Sequence, residues 1–386
     1  MVLRPSSSLL LAATIAGSTL IFPRHADASA HASAAASTPA STRLQAKGSS
    51  EAVEQPATTA RQTPSKPTAK KSTKTSAKKS AKKSSQPKAK PSGGALGPTA
   101  GNQHLAFKNA GSDLDSLWPV KTAPALPGSI FPAKRVLAYY GNPLSKRMGI
   151  LGEFETNDML AKLMDDAAEW TRLDPAHPVQ PALHLIAMVA NPTPGPSGKY
   201  RTRMDSALIE KVYGWAKSKN ALLFVDLQVG QSTLQEELPW IEKFLMRPDV
   251  HLGIDPEFSM KTSGAIPGRK VGTYDAADIN YAIRFLGNLV EKHKLPPKIL
   301  VVHRFTPKGV TNARKITLDP KVQVVMHMDG FGAPAVKRDT YYRDIKREPV
   351  QFTGWKQFTK AKNDNPRTSR EAILRLWPTP LYIQVQ

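Results

Sequence analysis

Asp255 and Glu257 are the residues whose types and spacing point most directly to chemistry. They lie two apart in Ile254-Asp255-Pro256-Glu257-Phe258, at the end of an apolar run. Residues i and i+2 of a strand share a face, so the two carboxyls would be held close together. Repulsion raises the pKa of one, which stays protonated and can act as a general acid near neutral pH. Cleavage of a glycosidic bond uses this device. One carboxyl protonates the leaving oxygen, and a second serves as nucleophile, base or electrostatic partner. Glu257 is the expected acid, Asp255 its tuning partner and Asp329 the supporting carboxylate, with Asp226 a further candidate.

Other chemistries find less support. The absence of Cys excludes a thiol nucleophile, a thiolate metal site and a disulfide framework. No G-x-S-x-G elbow is present for a serine hydrolase. His251, His303 and His327 are zinc-ligand types, but no H-x-H or H-E-x-x-H spacing joins them. The sequence therefore assigns no metal and no cofactor.

The elements that must position the acids are short apolar runs at 135–141, 182–190, 221–229, 250–258, 298–306, 322–330, 350–358 and 381–386. Amphipathic stretches lie between them at 157–173, 204–220, 233–246, 274–294 and 368–377. Strands alternating with helices over some 250 residues (134–386) predict a (β/α)8 barrel that lacks a final helix. A doubly wound sheet would need a Gly-rich phosphate turn after the first strand, and YYGNPLSKRMG lacks G-x-G-x-x-G.

In such a barrel the site gathers at the C-terminal strand ends. Polar residues do collect there: Asp226 and Gln228, Asp255 and Glu257, His327 and Asp329, and Gln384 with Gln386. Alternation sharpens the reading, because Leu223, Val225, Leu227 and Val229 suit packing on helices, which turns Phe224, Asp226 and Gln228 inward. By the same parity His251, Gly253, Asp255 and Glu257 share one face, and Gln323, Val325, His327 and Asp329 another. In the fifth strand parity does not decide between His303 and Arg304. Tyr139, Tyr140, Phe331 and Trp355 lie near strand ends, where aromatic faces can stack on sugars, although Tyr139 suits the core better. The expected substrate-binding set is Asp226, Gln228, His327, Tyr140, Trp355 and Gln384.

These motifs carry a resemblance. GIDPEF is similar to the D-x-E ending of the strand-four motif of chitinase-type glycoside hydrolases, without the longer D-x-x-D-x-D-x-E run. MHMDGFG resembles their strand-six Met-x-Tyr-Asp segment, with Met328 in place of the Tyr. The resemblance implies that Glu257 is the acid, that Asp255 orients an acetamido group and that Asp329 supports them. More broadly, residues 136–386 resemble a family of exported bacterial (β/α)8-barrel proteins through LGIDPEF, VVHRF, VVMHMDGFG and GWKQF. That second resemblance implies a fold and an exported setting, and no particular activity.

The N-terminal third reads differently. Arg4, the apolar stretch 9–22 and Ala28-Ser29-Ala30 predict a signal peptide over 1–30. No later stretch approaches the ~20 apolar residues of a transmembrane helix, so the mature chain is expected to have none. Residues 31–101 are mostly Ala, Ser, Thr, Pro and Lys, a composition that cannot offset backbone entropy by burial and predicts a disordered segment. Residues 102–133 would link it to the barrel. The chain has 54 Lys+Arg against 31 Asp+Glu, a net charge of +23, and residues 61–90 hold 11 basic residues and no acid. That tract resembles linker-histone tails in composition and would bind polyanions by counterion release. For an exported chain, in periplasm, at the cell surface or secreted, the expected partners are anionic envelope polymers, with nucleic acid a less available third choice. The functional expectation is a glycoside-hydrolase-like protein acting on an envelope or extracellular polysaccharide. Its rival is a non-catalytic binder of envelope polymers that keeps the barrel as scaffold.

Overall fold

The computed structural model describes residues 113–360 and 364–386. The expected signal peptide and Lys-rich segment lie outside these residues. The eight apolar runs form β1 (Arg135–Gly141), β2 (Val179–Ala190), β3 (Leu222–Leu227), β4 (Val250–Ile254), β5 (Lys298–Arg304), β6 (Val322–Met328), β7 (Phe352–Gln357) and β8 (Tyr382–Val385). Each pairs in parallel with the next. β8 returns to β1 from Val136↔Tyr382 to Tyr139↔Val385, which closes a (β/α)8 barrel.

Helices α1 (Thr156–Leu173), α2 (Ser206–Ser218), α3 (Leu234–Leu245), α4 (Ala276–His293), α5 (Pro334–Tyr341) and α6 (Arg370–Leu374) connect successive strands. β5 and β6 are joined without one, through the 3₁₀ turns Pro307–Gly309 and Ala313–Lys315. Local chemistry sets several helix starts. Asp205 accepts from the Ala207 N–H, Thr233 from the Glu236 N–H, and Ser369 from the Ala372 N–H. Asp275 and Asp278 form a reciprocal capping box on α4. No helix among the described residues is long and apolar enough to cross a membrane.

Strand alternation divides the apolar residues into two cores. Leu137, Leu183, Leu223, Val225, Leu252, Leu300, Val324 and Ile383 face the helices in one large cluster. Val136, Ala138, Ala182, Phe224, Val301, Val325 and Tyr382 fill the barrel interior. The N-terminal end of that interior is closed by residues just before β1. Phe131 is buried against Phe352 at a ring separation of 5.0 Å. Gln323 accepts from the Ile130 and Phe131 N–H groups at 2.9 and 3.2 Å and donates to the Phe131 carbonyl at 2.7 Å.

Two local expectations are corrected. The strand over 250–258 ends at Ile254, and Pro256–Phe258 forms a 3₁₀ turn. Pro256 has no N–H for a strand ladder, and the Asp255 carboxylate caps the turn by accepting from the Glu257 N–H at 3.2 Å. Asp255 and Glu257 therefore do not share a strand face. The second correction is α5, a helix for which no amphipathic stretch was expected. Its inward side carries Lys337, whose ammonium is buried on Asp364 at 2.6 Å, so an apolar periodicity fails to mark it.

Candidate active site

The C-terminal half of the interior is polar. From β3, Asp226 turns inward between two imidazoles: its Oδ1 is 3.3 Å from His184 Nε2 of β2 and 3.4 Å from His303 Nε2 of β5. Its Oδ2 accepts from the Tyr140 hydroxyl at 3.2 Å. His303 Nδ1 lies 3.0 Å from Asp329 Oδ2, just past β6, and Asp329 Oδ1 meets Lys356 Nζ of β7 at 2.7 Å. The Lys356 ammonium sits 4.4 Å over the Tyr140 ring, which completes a circuit around the barrel. Parity thus settles the fifth strand: His303 points inward, and Arg304 lies outside, donating to the Pro307 carbonyl and pairing with Glu348.

Two glycines make room for this cluster. A Cβ on Gly253 would collide with Asp226 Oδ1 and His184 Nε2, and one on Gly354 would lie 2.5 Å from His327 Nδ1. Both occupy inward positions where any side chain would displace a polar group.

Asp255 and Glu257 lie above this layer. Asp255 is buried, and its Oδ2 is 3.4 Å from Gln228 Nε2. Glu257 is half-buried on the capped turn. Burial is the largest cause of a rise in the Glu257 pKa to about 8, with the charges of Asp255 and Asp329 adding to it against Lys356 and His303. Burial also raises Asp255 to about 7; Asp226 and Asp329 push the same way, and His303 and Lys356 oppose. Mutual repulsion is real here but second to desolvation. Asp226 and Asp329 go the other way: burial alone would raise them, but His303 and His184 hold the first, and Lys356 and His303 the second, well below the carboxylate range. Burial would lower His303, yet Asp226 and Asp329 bring it up to about 10. Burial takes His184 down to about 4 and His327 well below its ordinary value. The site thus holds two carboxyls biased toward the acid form above two held as anions.

The structure brings together the expected residues Tyr140, Asp226, Gln228, Asp255, Glu257, His327, Asp329 and Gln384. Trp355 stands elsewhere: it is fully buried on the helix side of β7, 5.9 Å from the Tyr341 ring. Its neighbours Gly354 and Lys356 hold the inward positions. Tyr139 likewise faces the helices and bonds to Asp166. His251 lies lower in the interior, where its Nδ1 accepts from the Ile299 N–H at 3.1 Å. His184 and Lys356 were missed, although ALHLIAMVA places His184 in step with Ala182 and Ile186. At the rim, Phe331 is 47% exposed and its ring lies 5.8 Å from Phe305 and 6.4 Å from Phe358. These three rings follow β5, β6 and β7, an aromatic edge beside the acids.

Fold and site together define a (β/α)8 barrel with a carboxyl–imidazole cluster at its C-terminal mouth. No protein-family profile matches the chain, and no curated protein sequence matches it. Among solved structures, a ruminal GH26 endo-beta-1,4-mannanase aligns at 11% identity with a TM-score of 0.29. The alignment covers 71% of this chain, and the chain spans about 65% of the mannanase.

Proposed function

We propose that the protein is an exported glycoside hydrolase that acts on an envelope or extracellular polysaccharide, with Glu257 as proton donor. The observation that carries this reading is Glu257 itself, a half-buried carboxyl with a pKa of about 8 set above the anionic Asp226 and Asp329. Carboxyls pushed apart in pKa by their surroundings divide into acid and electrostatic roles. Asp226 and Asp329 are engaged by His303, His184 and Lys356, which holds them as anions and keeps them from attacking the sugar. Asp255 tunes Glu257 and presents a second carboxyl to the substrate. Phe305, Phe331 and Phe358 offer ring faces on which a sugar can stack.

A second reading, a glycan-binding barrel without turnover, draws on the burial of Asp226, Asp255 and Asp329, which leaves Glu257 the one acid of the set that is half-exposed. One experiment separates the two. Envelope and storage polysaccharides are incubated with wild type and Glu257→Gln, and new reducing ends are measured. Turnover by wild type that falls about 10²–10⁴-fold in the variant supports the hydrolase. Binding without new ends supports the scaffold. Export rests on residues 1–30, and a tether to anionic polymers on the basic tract 61–90. Deleting residues 31–100 should abolish salt-sensitive polymer binding and leave the barrel folded; an unchanged salt slope contradicts the tether.

A further inference from the structure

The geometry points to a divalent cation site of the zinc class inside the barrel, ligated by His184 Nε2, His303 Nε2 and Asp226 Oδ1. These three atoms come from β2, β5 and β3, and all lie within 4.8 Å of one another. Each belongs to a fully buried side chain, and each lacks a hydrogen bond. The contacts of 3.3 and 3.4 Å to Asp226 are long for hydrogen bonds. They match the edge of a ligand tetrahedron, about 3.3–3.4 Å when ligands sit at 2.0–2.1 Å from zinc. Two imidazoles and one carboxylate are an ordinary donor set for such an ion.

The groups around the three donors are arranged as a ligand shell requires. His303 Nδ1 faces Asp329 Oδ2 at 3.0 Å, so Nδ1–H donates to the carboxylate and leaves the Nε2 lone pair aimed at the centre. His184 Nδ1 lies 2.5 Å from the Tyr382 hydroxyl and 3.2 Å from the Gln384 side-chain amide, and the two hold that ring with its Nε2 toward the same point. The spare oxygen of Asp226 is held by the Tyr140 hydroxyl. Gly253 leaves the approach to Asp226 Oδ1 and His184 Nε2 clear, and any other residue there would fill it. Asp226 and Asp329 face one imidazole from both sides and need positive charge between them. A bound ion supplies that charge while preserving the Asp329 hydrogen bond.

A second trio, His303, His327 and Asp329, also converges. It is the weaker candidate, because both Asp329 oxygens are already engaged, one by His303 Nδ1 and one by the Lys356 ammonium. The sequence marks neither trio by spacing, although His303 and His327 are zinc-ligand types. Its metal ligands are single residues on three separate strands, with no short spacing to betray them. The inference shares Asp226 with the hydrolase reading, but its readouts, retained metal and cobalt bands, do not depend on turnover.

The test uses the full chain, purified without chelator and analysed for metal, then stripped and titrated with Zn²⁺ or Co²⁺ alone. About one equivalent of tightly held Zn²⁺ is expected. The melting temperature should rise by roughly 5–10 °C when zinc is present at about 100 times its dissociation constant. Co²⁺ should give the intense visible bands of a four-coordinate site, a readout that needs no variant. Asp226→Asn and His184→Gln should each lose the bands and the thermal shift, whereas His327→Gln should keep both. Absence of retained zinc, of a thermal shift and of cobalt bands overturns the proposal in favour of a protonated His303 bridging two carboxylates. Bands that survive Asp226→Asn and His184→Gln, or that vanish only in His327→Gln, overturn the ligand assignment.

Discussion

The two ends of the barrel interior are built differently. At the N-terminal end Phe131, Phe352 and Val136 make an apolar plug, and Gln323 spends both ends of its amide on the backbone at 130–131. At the C-terminal end His184 Nε2, His303 Nε2, Asp226 Oδ1 and both ring nitrogens of His327 are buried without hydrogen bonds. Buried polar atoms are costly when unsatisfied, so a fold does not collect them by accident. One end of this barrel is finished as a core, and the other gathers buried polar atoms without hydrogen bonds. The strands carry both, and the division follows the general polarity of such barrels, in which the N-terminal face serves stability.

That contrast can be broken by exchanging the effects of mutations at the two ends. Phe131→Ala should cost about 3–5 kcal/mol in denaturant unfolding while leaving the pH dependence of the site unchanged. A loss below ~1 kcal/mol would mean that the plug is not part of the core. Glu257→Gln should show the reverse, a large fall in turnover with little change in unfolding midpoint, because an amide keeps the shape and cannot donate the proton. A stability loss comparable to that of Phe131→Ala would make Glu257 a structural acid.

Gly253→Ala sharpens the comparison at the upper end. The added methyl meets Asp226 Oδ1 and His184 Nε2, so the cluster must shift, at about 1–3 kcal/mol. Gly214→Ala, where a Cβ on α2 meets nothing within 4 Å, is the control, and it should be neutral or stabilising. Equal effects at the two positions would show that the cluster is loosely held.

The smallest effect is a slope. Glu257 and Asp255 have folded-state pKa values of about 8 and 7 against ordinary values of 4.5 and 3.8. The unfolded chain therefore releases these protons first as pH rises, and it binds fewer of them than the folded chain between about pH 4 and 8. Their contribution is complete below about pH 4 and is lost as pH climbs through 7 to 8. The groups facing Glu257 are Asp255 and Asp329, which raise it, and Lys356 and His303, which oppose. The melting temperature of wild type relative to Glu257→Gln should fall from pH 5 to pH 8, while His184 and His327, held neutral by burial, act in the opposite sense in both proteins. An identical slope in the variant would place the titration elsewhere.

The contrast between the ends was partly legible in the sequence. Strand alternation was enough to turn Phe224, Asp226 and Gln228 inward, and Gln323, Val325, His327 and Asp329 with them, because those strands are apolar on one face and mixed on the other. Where both faces are mixed the signal fails. In Phe352–Gln357 the large Trp355 drew attention, yet the inward residues are Gly354, which yields space to His327, and Lys356, which pairs with Asp329. The 3₁₀ turn after Ile254 was hidden because an apolar Phe258 prolongs the strand pattern past a proline. Helix α5 was hidden because its buried Lys337 is satisfied by Asp364 and the Lys356 carbonyl, both far along the chain. His184 was passed over for a related reason: its partners, Asp226 and Tyr382, are distant in sequence and near only in the closed barrel.

Proton donation by Glu257 requires that it remain protonated near neutral pH at the mouth of the barrel. Infrared difference titration of the protonated carboxyl stretch, comparing wild type with Glu257→Gln, reads this directly. The expected result is a carboxyl band that is present at pH 6, disappears with a midpoint near 8 and is absent from the variant. A band that is gone by pH 6, with a midpoint near the ordinary glutamate value of about 4.3, would contradict it.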